Sequence, residues 1–364
     1  MRAVRIHGHG GPEMLRVDDV PEPRPGPEDL CLRLRATTIN HRDIWIRKGH
    51  PHPAYRVDLP AILGIDICGD VVEIGERVES FAEGDRVTAS PYMHCGVCGQ
   101  CARGRFQYCP NFSVYNGAYA EYVIVPAAFA IRVDPGIPDE HVACFPNTYI
   151  TAWQMLVGKA RVSPSDVVFV WAGTSGLGSA AIDIAKLAGA TVVATAGTEE
   201  KLAVLRRSKA DLVLDHHAPD VVERVLDFTN DQGASIVFEH IGQATWERSL
   251  RLCAAGGAIV VAGATSGDDA RMNLTYMFVK QVRILGSRLG TMNDALAAVE
   301  HLNAARFEPL VGLVLPFERI GEGHRLIEEG KVIGKVIVKP DSAAAIYAAR
   351  SGSGSGAPVA PRAS

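Results

Sequence analysis

Between about residue 165 and residue 289 the sequence alternates short apolar runs with helical ones. VVFVWA leads through a glycine turn to LGSAAIDIAKLAGA. TVVATAG leads to EEKLAVLRRSKA, DLVLDH to PDVVERVLDFTN, and SIVFEHIG to TWERSLRLC; GGAIVVAG and VRILGSRLG close the series. A strand joined to the next by a helix pairs with it in parallel. Repetition of that unit predicts a doubly wound parallel sheet.

The flanking sequence is of another kind. Met1–His7, Leu30–Arg35, GDVVEIG, GDRVTAS and residues 119–134 read as short strands bounded by Gly and Pro, which predicts a β-rich domain. From about Asn147 the pattern changes, and Thr148–Val157 reads as a buried helix. After Gly290 comes one helix, MNDALAAVEHLNAA, and then β-like KVIGKVIVKP. The expectation is an α/β protein. Residues 1–147 and 290–340 form the β-rich domain, and 148–289 form a dinucleotide-type domain inserted into it. Residues 341–364, with SGSGSG, have the composition of a flexible tail.

A chain of 364 residues suits two such domains. Lys and Arg total 37 against 41 Asp and Glu, so no basic surface argues for nucleic acid as a partner. No apolar run is long enough for a membrane span, and the start lacks a signal-type apolar stretch. A cytoplasmic protein is expected. There, clustered cysteines favour metal binding over disulfides. Of eight cysteines, Cys95, Cys98, Cys101 and Cys109 fall within one short segment, in a lobe at about 91–112. C-x2-C-x2-C-x7-C lets four thiolates surround one ion, and a closed set of four cysteines makes one structural zinc. Cys31, Cys68, Cys144 and Cys253 are scattered among apolar neighbours and read as packing residues.

The turn Gly173, Thr174, Ser175, Gly176, Leu177, Gly178 follows a strand and opens a helix. It predicts a pyrophosphate site on the helix N-terminus, although Ser175 stands where the fingerprint has its middle glycine. At the end of the second strand an NAD enzyme usually carries an acid for the ribose 2′-OH. Here Thr195 is expected at that position, with Thr198 and Lys201 beyond it and His216 after the third strand. This set favours NADPH over NADH.

GDVVEIG, GDRV, the four-cysteine lobe, TAW at Thr151–Trp153, GTSGLG and GKVIGKV together resemble the medium-chain dehydrogenase/reductase superfamily, over about residues 1–340. The resemblance implies a GroES-like β domain holding an inserted Rossmann domain. It also implies a homodimer or homotetramer through the sheet edge at about 258–289. In the family's zinc alcohol dehydrogenases a catalytic zinc is held by Cys, His and Cys; those positions fall here on Asn40, Ile65 and Asn147. N-x-x-D-x-x-x-R-x-G at Asn40–Gly49 and G-x-D at Gly64–Asp66 are similar to the zinc-free quinone oxidoreductase and enoyl reductase branches, which commonly lack the four-cysteine lobe.

Without a Lewis acid, an acceptor that spreads its charge is easier to reduce than an isolated carbonyl. The expected activity is NADPH-dependent hydride transfer to an α,β-unsaturated carbonyl or a quinone as the small-molecule substrate. The alternatives are an alcohol dehydrogenase or aldehyde reductase lacking catalytic zinc, and a non-catalytic NADPH-binding protein. Asn40 is the candidate donor. His41 is a relay, a cofactor-phosphate contact as the resemblance suggests, or a structural residue. Asp43 and Asp66 orient neighbours. Lys335 pairs with Asp66 or a pyrophosphate, or is a surface lysine. Trp45, Tyr55 and Tyr149 line a pocket or pack a core. Pocket loops are expected at 45–58, 111–117 and 268–280.

Overall fold

A computed structural model describes residues 1–340. The tail expected at 341–364 lies outside the described residues.

Six parallel strands form one sheet in the order Leu212–Asp215, Thr191–Ala196, Val167–Val170, Ala234–Glu239, Cys253–Val261, Arg283–Gly286. Chain order reverses between Val167–Val170 and Ala234–Glu239. In such sheets a ligand crevice opens at that point, outside the carboxyl ends of the strands. Helices cover both faces, so the strands bury both sides. Val168 and Val170 belong to one core cluster, and Phe169 and Trp171 to another on the opposite face.

The other large sheet is mostly antiparallel. Asp29–Thr38 is central in it, paired with Cys68–Ile74, Tyr122–Pro126 and Lys335–Lys339. Lys335–Lys339 pairs in parallel with Val311–Pro316, so the end of the described chain completes the sheet of its beginning. A three-stranded sheet of Leu15–Asp19, Arg2–Ile6 and Ala61–Ile62 shares the apolar core of this part. These are the GroES-like and Rossmann units of an α/β fold.

A helical run from Asp139 to Ala160 links the two sheets. It is longer than the stretch expected at 148–157. Its turns over Phe145–Tyr149 and Gln154–Ala160 are widened to the π form. Pro146 stands in the first of these and cannot donate to the helix ladder. Tyr149 is fully buried in the run and donates to Asp183 at 2.8 Å, which makes it a core residue.

Leu274–Lys280, expected in a pocket loop, is a helix. Lys280 bonds the carbonyls of Arg251 and Cys253, beside the amino end of Cys253–Val261 and opposite the crevice. No helix among the described residues is long and apolar enough to cross a membrane.

Candidate active site and zinc lobe

The glycine turn sits at the carboxyl end of Val167–Val170 and opens helix Gly176–Leu187. Ser175 is extended there, and its Oγ accepts the Gly178 N–H at 3.0 Å. A helix N-cap favours serine, which explains why the middle glycine of the fingerprint is dispensable. The N–H groups of Gly176 and Leu177 open the helix and suit a pyrophosphate. Gly176 is fixed by close approach, because a Cβ there would collide with Lys335 Cδ. The Gly334 N–H also bonds the Thr174 carbonyl at 2.7 Å, so the GroES-like unit touches the turn directly.

Thr195 is not at the strand end, as expected, but inside the strand. It is fully buried, and its Oγ1 accepts the Ala172 N–H at 3.2 Å. It holds the turn through both its side chain and its carbonyl, which accepts the Gly173 N–H at 2.7 Å. The strand ends at Ala196, and a Cβ on the next residue, Gly197, would collide with the His216 ring and lie 2.8 Å from His217 Nε2. Thr198 caps the next helix through the Lys201 N–H at 3.3 Å. Lys201 Nζ reaches the Gly330 carbonyl at 2.5 Å, bridging the two units beside this strand end. Burial pushes His216 down to about 4, so it is neutral at pH 7.

The second part of the crevice is built on Asn40, the N-cap of helix His41–Lys48. Asp43 Oδ2 accepts the Asn40 N–H at 2.9 Å. Asp43 is wholly buried, and the Gly64 N–H and Tyr119 hydroxyl also donate to it. It orients Asn40 and is shut off from the crevice.

The Asn40 side chain joins three groups. Its Nδ2 donates to Asp66 Oδ2 at 2.8 Å. Its Oδ1 accepts from Lys335 Nζ at 2.6 Å and from Asn147 Nδ2 at 2.8 Å. Asp66, also wholly buried, accepts from the Thr38 hydroxyl and from the Asn147 N–H at 2.8 Å. Lys335 Nζ lies 3.5 Å from the same carboxylate and bonds the Ile39 carbonyl at 3.1 Å. Asn147 follows Pro146 in the π turn, and its backbone N–H goes to Asp66. Tyr92 donates to Asn147 Oδ1 at 3.0 Å. Sequence reading gave Asn147 no role of its own; the Phe-Pro-Asn interruption of an apolar helix was the available signal.

His41 keeps an exposed edge in the crevice although protein surrounds it closely. Desolvation, then Lys335 and His240, hold its imidazole below the ordinary histidine range. It therefore stands neutral at pH 7. His240 follows the fourth strand of the sheet and bonds the Trp171 carbonyl at 2.9 Å. An aromatic wall lies along the same helix as His41: Trp45 and Tyr55 have centroids 5.1 Å apart, and His50 meets Tyr55 edge-on at 4.9 Å.

The four predicted cysteines converge. Cys98 Sγ lies 3.5 Å from Cys101 and 3.9 Å from Cys109, and Cys109 lies 3.6 Å from Cys95. A zinc tetrahedron with Zn–S bonds of about 2.3 Å has edges of about 3.8 Å, so the set fits zinc. Among the described residues, these thiols are the one group of three or more His, Cys, Asp or Glu side chains placed to share an ion. His94 stacks on Phe106 at 4.2 Å beside the set. The positions that match catalytic-zinc ligands in the family's zinc alcohol dehydrogenases carry two amides and Ile65, which is 1% exposed. Neutral amides and an alkyl chain are a poor donor set for that ion.

Residues 26–135 match the family model of the alcohol dehydrogenase GroES-like domain, and residues 176–304 match that of the zinc-binding dehydrogenases. The chain belongs to the medium-chain dehydrogenase/reductase superfamily and is an NAD(P)-dependent oxidoreductase. It is 26% identical to the acryloyl-coenzyme A reductase of Sulfurisphaera tokodaii, over 93% of this chain and 100% of that protein. The quinone oxidoreductase of Homo sapiens is also 26% identical, over 93% and 97%. A crystal structure of an NAD-dependent alcohol dehydrogenase is 40% identical, with a TM-score of 0.90, over 94% of this chain and 100% of that one.

Proposed function

We propose that the protein reduces a conjugated acceptor, an α,β-unsaturated carbonyl or a quinone, with NADPH and without a catalytic zinc. The observation that carries this reading is the Asn40–Asn147 amide pair, bonded at 2.8 Å at two of the positions that match catalytic-zinc ligands in the family's zinc alcohol dehydrogenases. When bound, the nicotinamide supplies a hydride. The protein's part is to place the acceptor and stabilise the charge that develops on its oxygen. Spare N–H bonds of the two amides, backed by the Lys335 ammonium, serve an enolate or quinol oxygen. Asp66 and Asp43 hold the amides in place. Neutral His41 borders the cofactor, and Gly173–Gly178 with Lys335 takes the pyrophosphate. Thr198, Lys201 and His216 surround the ribose end, where the strand supplies no acid to repel a 2′-phosphate. The names of the reductase and quinone oxidoreductase relatives support conjugate reduction.

A second reading is an alcohol dehydrogenase or aldehyde reductase using the same amides. The 40%-identical alcohol dehydrogenase structure favours it, and NADH with it. Oxidation of NADPH and NADH should be measured against enals, enones, quinones and simple aldehydes, together with metal per chain. The proposal expects one zinc, faster turnover with NADPH and preference for conjugated acceptors. Two zincs, or turnover of unconjugated alcohols alone, would overturn it.

A further inference from the structure

His41 and Arg42 are the first two residues of their helix, so their side chains leave it about 100° apart. His41 lies within charge range of Lys335 and His240. Arg42 has different neighbours and lies within charge range of Tyr55, Tyr92 and Arg288. Its Nη1 donates to Asn116 Oδ1 at 2.6 Å. Arg288, from the Rossmann unit, lays its guanidinium over Phe112 at 4.5 Å from the ring centroid. Two guanidinium groups from different units thus each touch one short segment, 112–116, and both lie within charge range of Tyr55.

Among the described residues neither has a carboxylate within ion-pair distance. The acid that acts on Arg42 is Asp43, whose oxygens are already taken by Asn40, Gly64 and Tyr119. Like charges in a partly desolvated cleft repel, and an anion between them relieves that repulsion. The guanidinium fork matches carboxylate and phosphate oxygens two at a time. Tyr92, within charge range of Arg42, is bonded in turn to Asn147.

We propose that Arg42 and Arg288 form an anion subsite, so that the acceptor carries a carboxylate or phosphate held there while its conjugated carbonyl reaches the Asn40–Asn147 pair. The subsite rests on the arginines; only its use in turnover rests on the reductase reading. No bond is made or broken at it.

The test uses the full-length protein loaded with zinc and NADPH, and two acceptor pairs. 4-Oxopent-2-enoate is compared with its methyl ester. A 2-enoyl thioester of coenzyme A, whose anions are phosphates, is compared with the neutral N-acetylcysteamine thioester. In at least one pair kcat/KM should favour the anionic member tenfold or more, and the pair that does so tells carboxylate from phosphate. Arg42→Met and Arg288→Met should each cut that preference about tenfold, and Arg42→Lys should restore part of it. Equal rates within both pairs, or a preference that survives both substitutions, would overturn the subsite.

Should no conjugated acceptor turn over, the reductase reading fails and the subsite is read by binding. Succinate and inorganic phosphate are titrated against tryptophan fluorescence, with dimethyl succinate as the uncharged control. Saturable binding of one anion, weakened tenfold in both Met variants, supports the subsite. Linear responses in the wild-type protein overturn it. Unchanged zinc content and melting temperature identify variants that fold normally.

Discussion

The side-chain amides of Asn40 and Asn147 are bonded to each other at 2.8 Å, although 107 residues separate them. One is presented by an N-cap and the other by a π turn. Removing either leaves its partner with an unmade bond in a buried site. Asn40→Ala and Asn147→Ala should each lower kcat about a hundredfold, as loss of a charge-stabilising donor does. The double variant should be little worse than either alone, since the two act as a unit. Additive losses in steady-state assays would show independent roles.

Lys335 lies beside Asp66 with both groups buried. Lys335→Met leaves the carboxylate without its cation and should cost about 3 kcal/mol or more. Adding Asp66→Asn removes the orphaned charge and should recover most of the denaturation midpoint but not the activity. That split separates charge balance from chemistry.

His324 is wholly buried, and neither ring nitrogen has a hydrogen-bond partner among the described residues. Burial, with Arg47 nearby, holds it down at about 3. In the unfolded chain it titrates near 6.5. Between those values the unfolded state binds the extra proton. The stability present above about pH 6.5 is therefore lost as pH falls toward 3, at up to about 1.4 kcal/mol per pH unit. His324→Phe should flatten urea midpoints between pH 6.5 and 4.5 by about one proton. An unchanged slope would place the titration elsewhere.

Lys201 sits in the first turn of the helix that follows strand Thr191–Ala196. Lys201→Ala should raise KM for NADPH at least tenfold while KM for NADH changes little. Equal effects on both would mean that the Gly330 bond between the two units is its whole role.

Arg283–Gly286 ends the parallel sheet, and Leu274, Phe278 and Val279 of the neighbouring helix are each more than 60% exposed. A bare strand edge beside an apolar face calls for a cover. Light scattering should find a dimer or tetramer, and Phe278→Glu should shift it toward monomer.

Much of the fold was legible because it is written in local periods. Alternating strand and helix runs force parallel pairing, and cysteine spacing alone brings four sulfurs to one point. The glycine turn was legible for the same reason, and Ser175 even improves it as a cap. The identities of Asn40, Ile65 and Asn147 also pointed to a donor set that suits zinc poorly. Only the tertiary structure decided what occupies that place. Lys335 reaches Asn40 across 295 positions, because strand Lys335–Lys339 pairs beside Asp29–Thr38. Thr195 is buried within the strand because register, which no local pattern carries, sets which residues of it are covered. Arg42 and Arg288 reach the same short segment, at Asn116 and Phe112, for a similar reason: they belong to different units, and their approach to it exists only once both have folded and packed together.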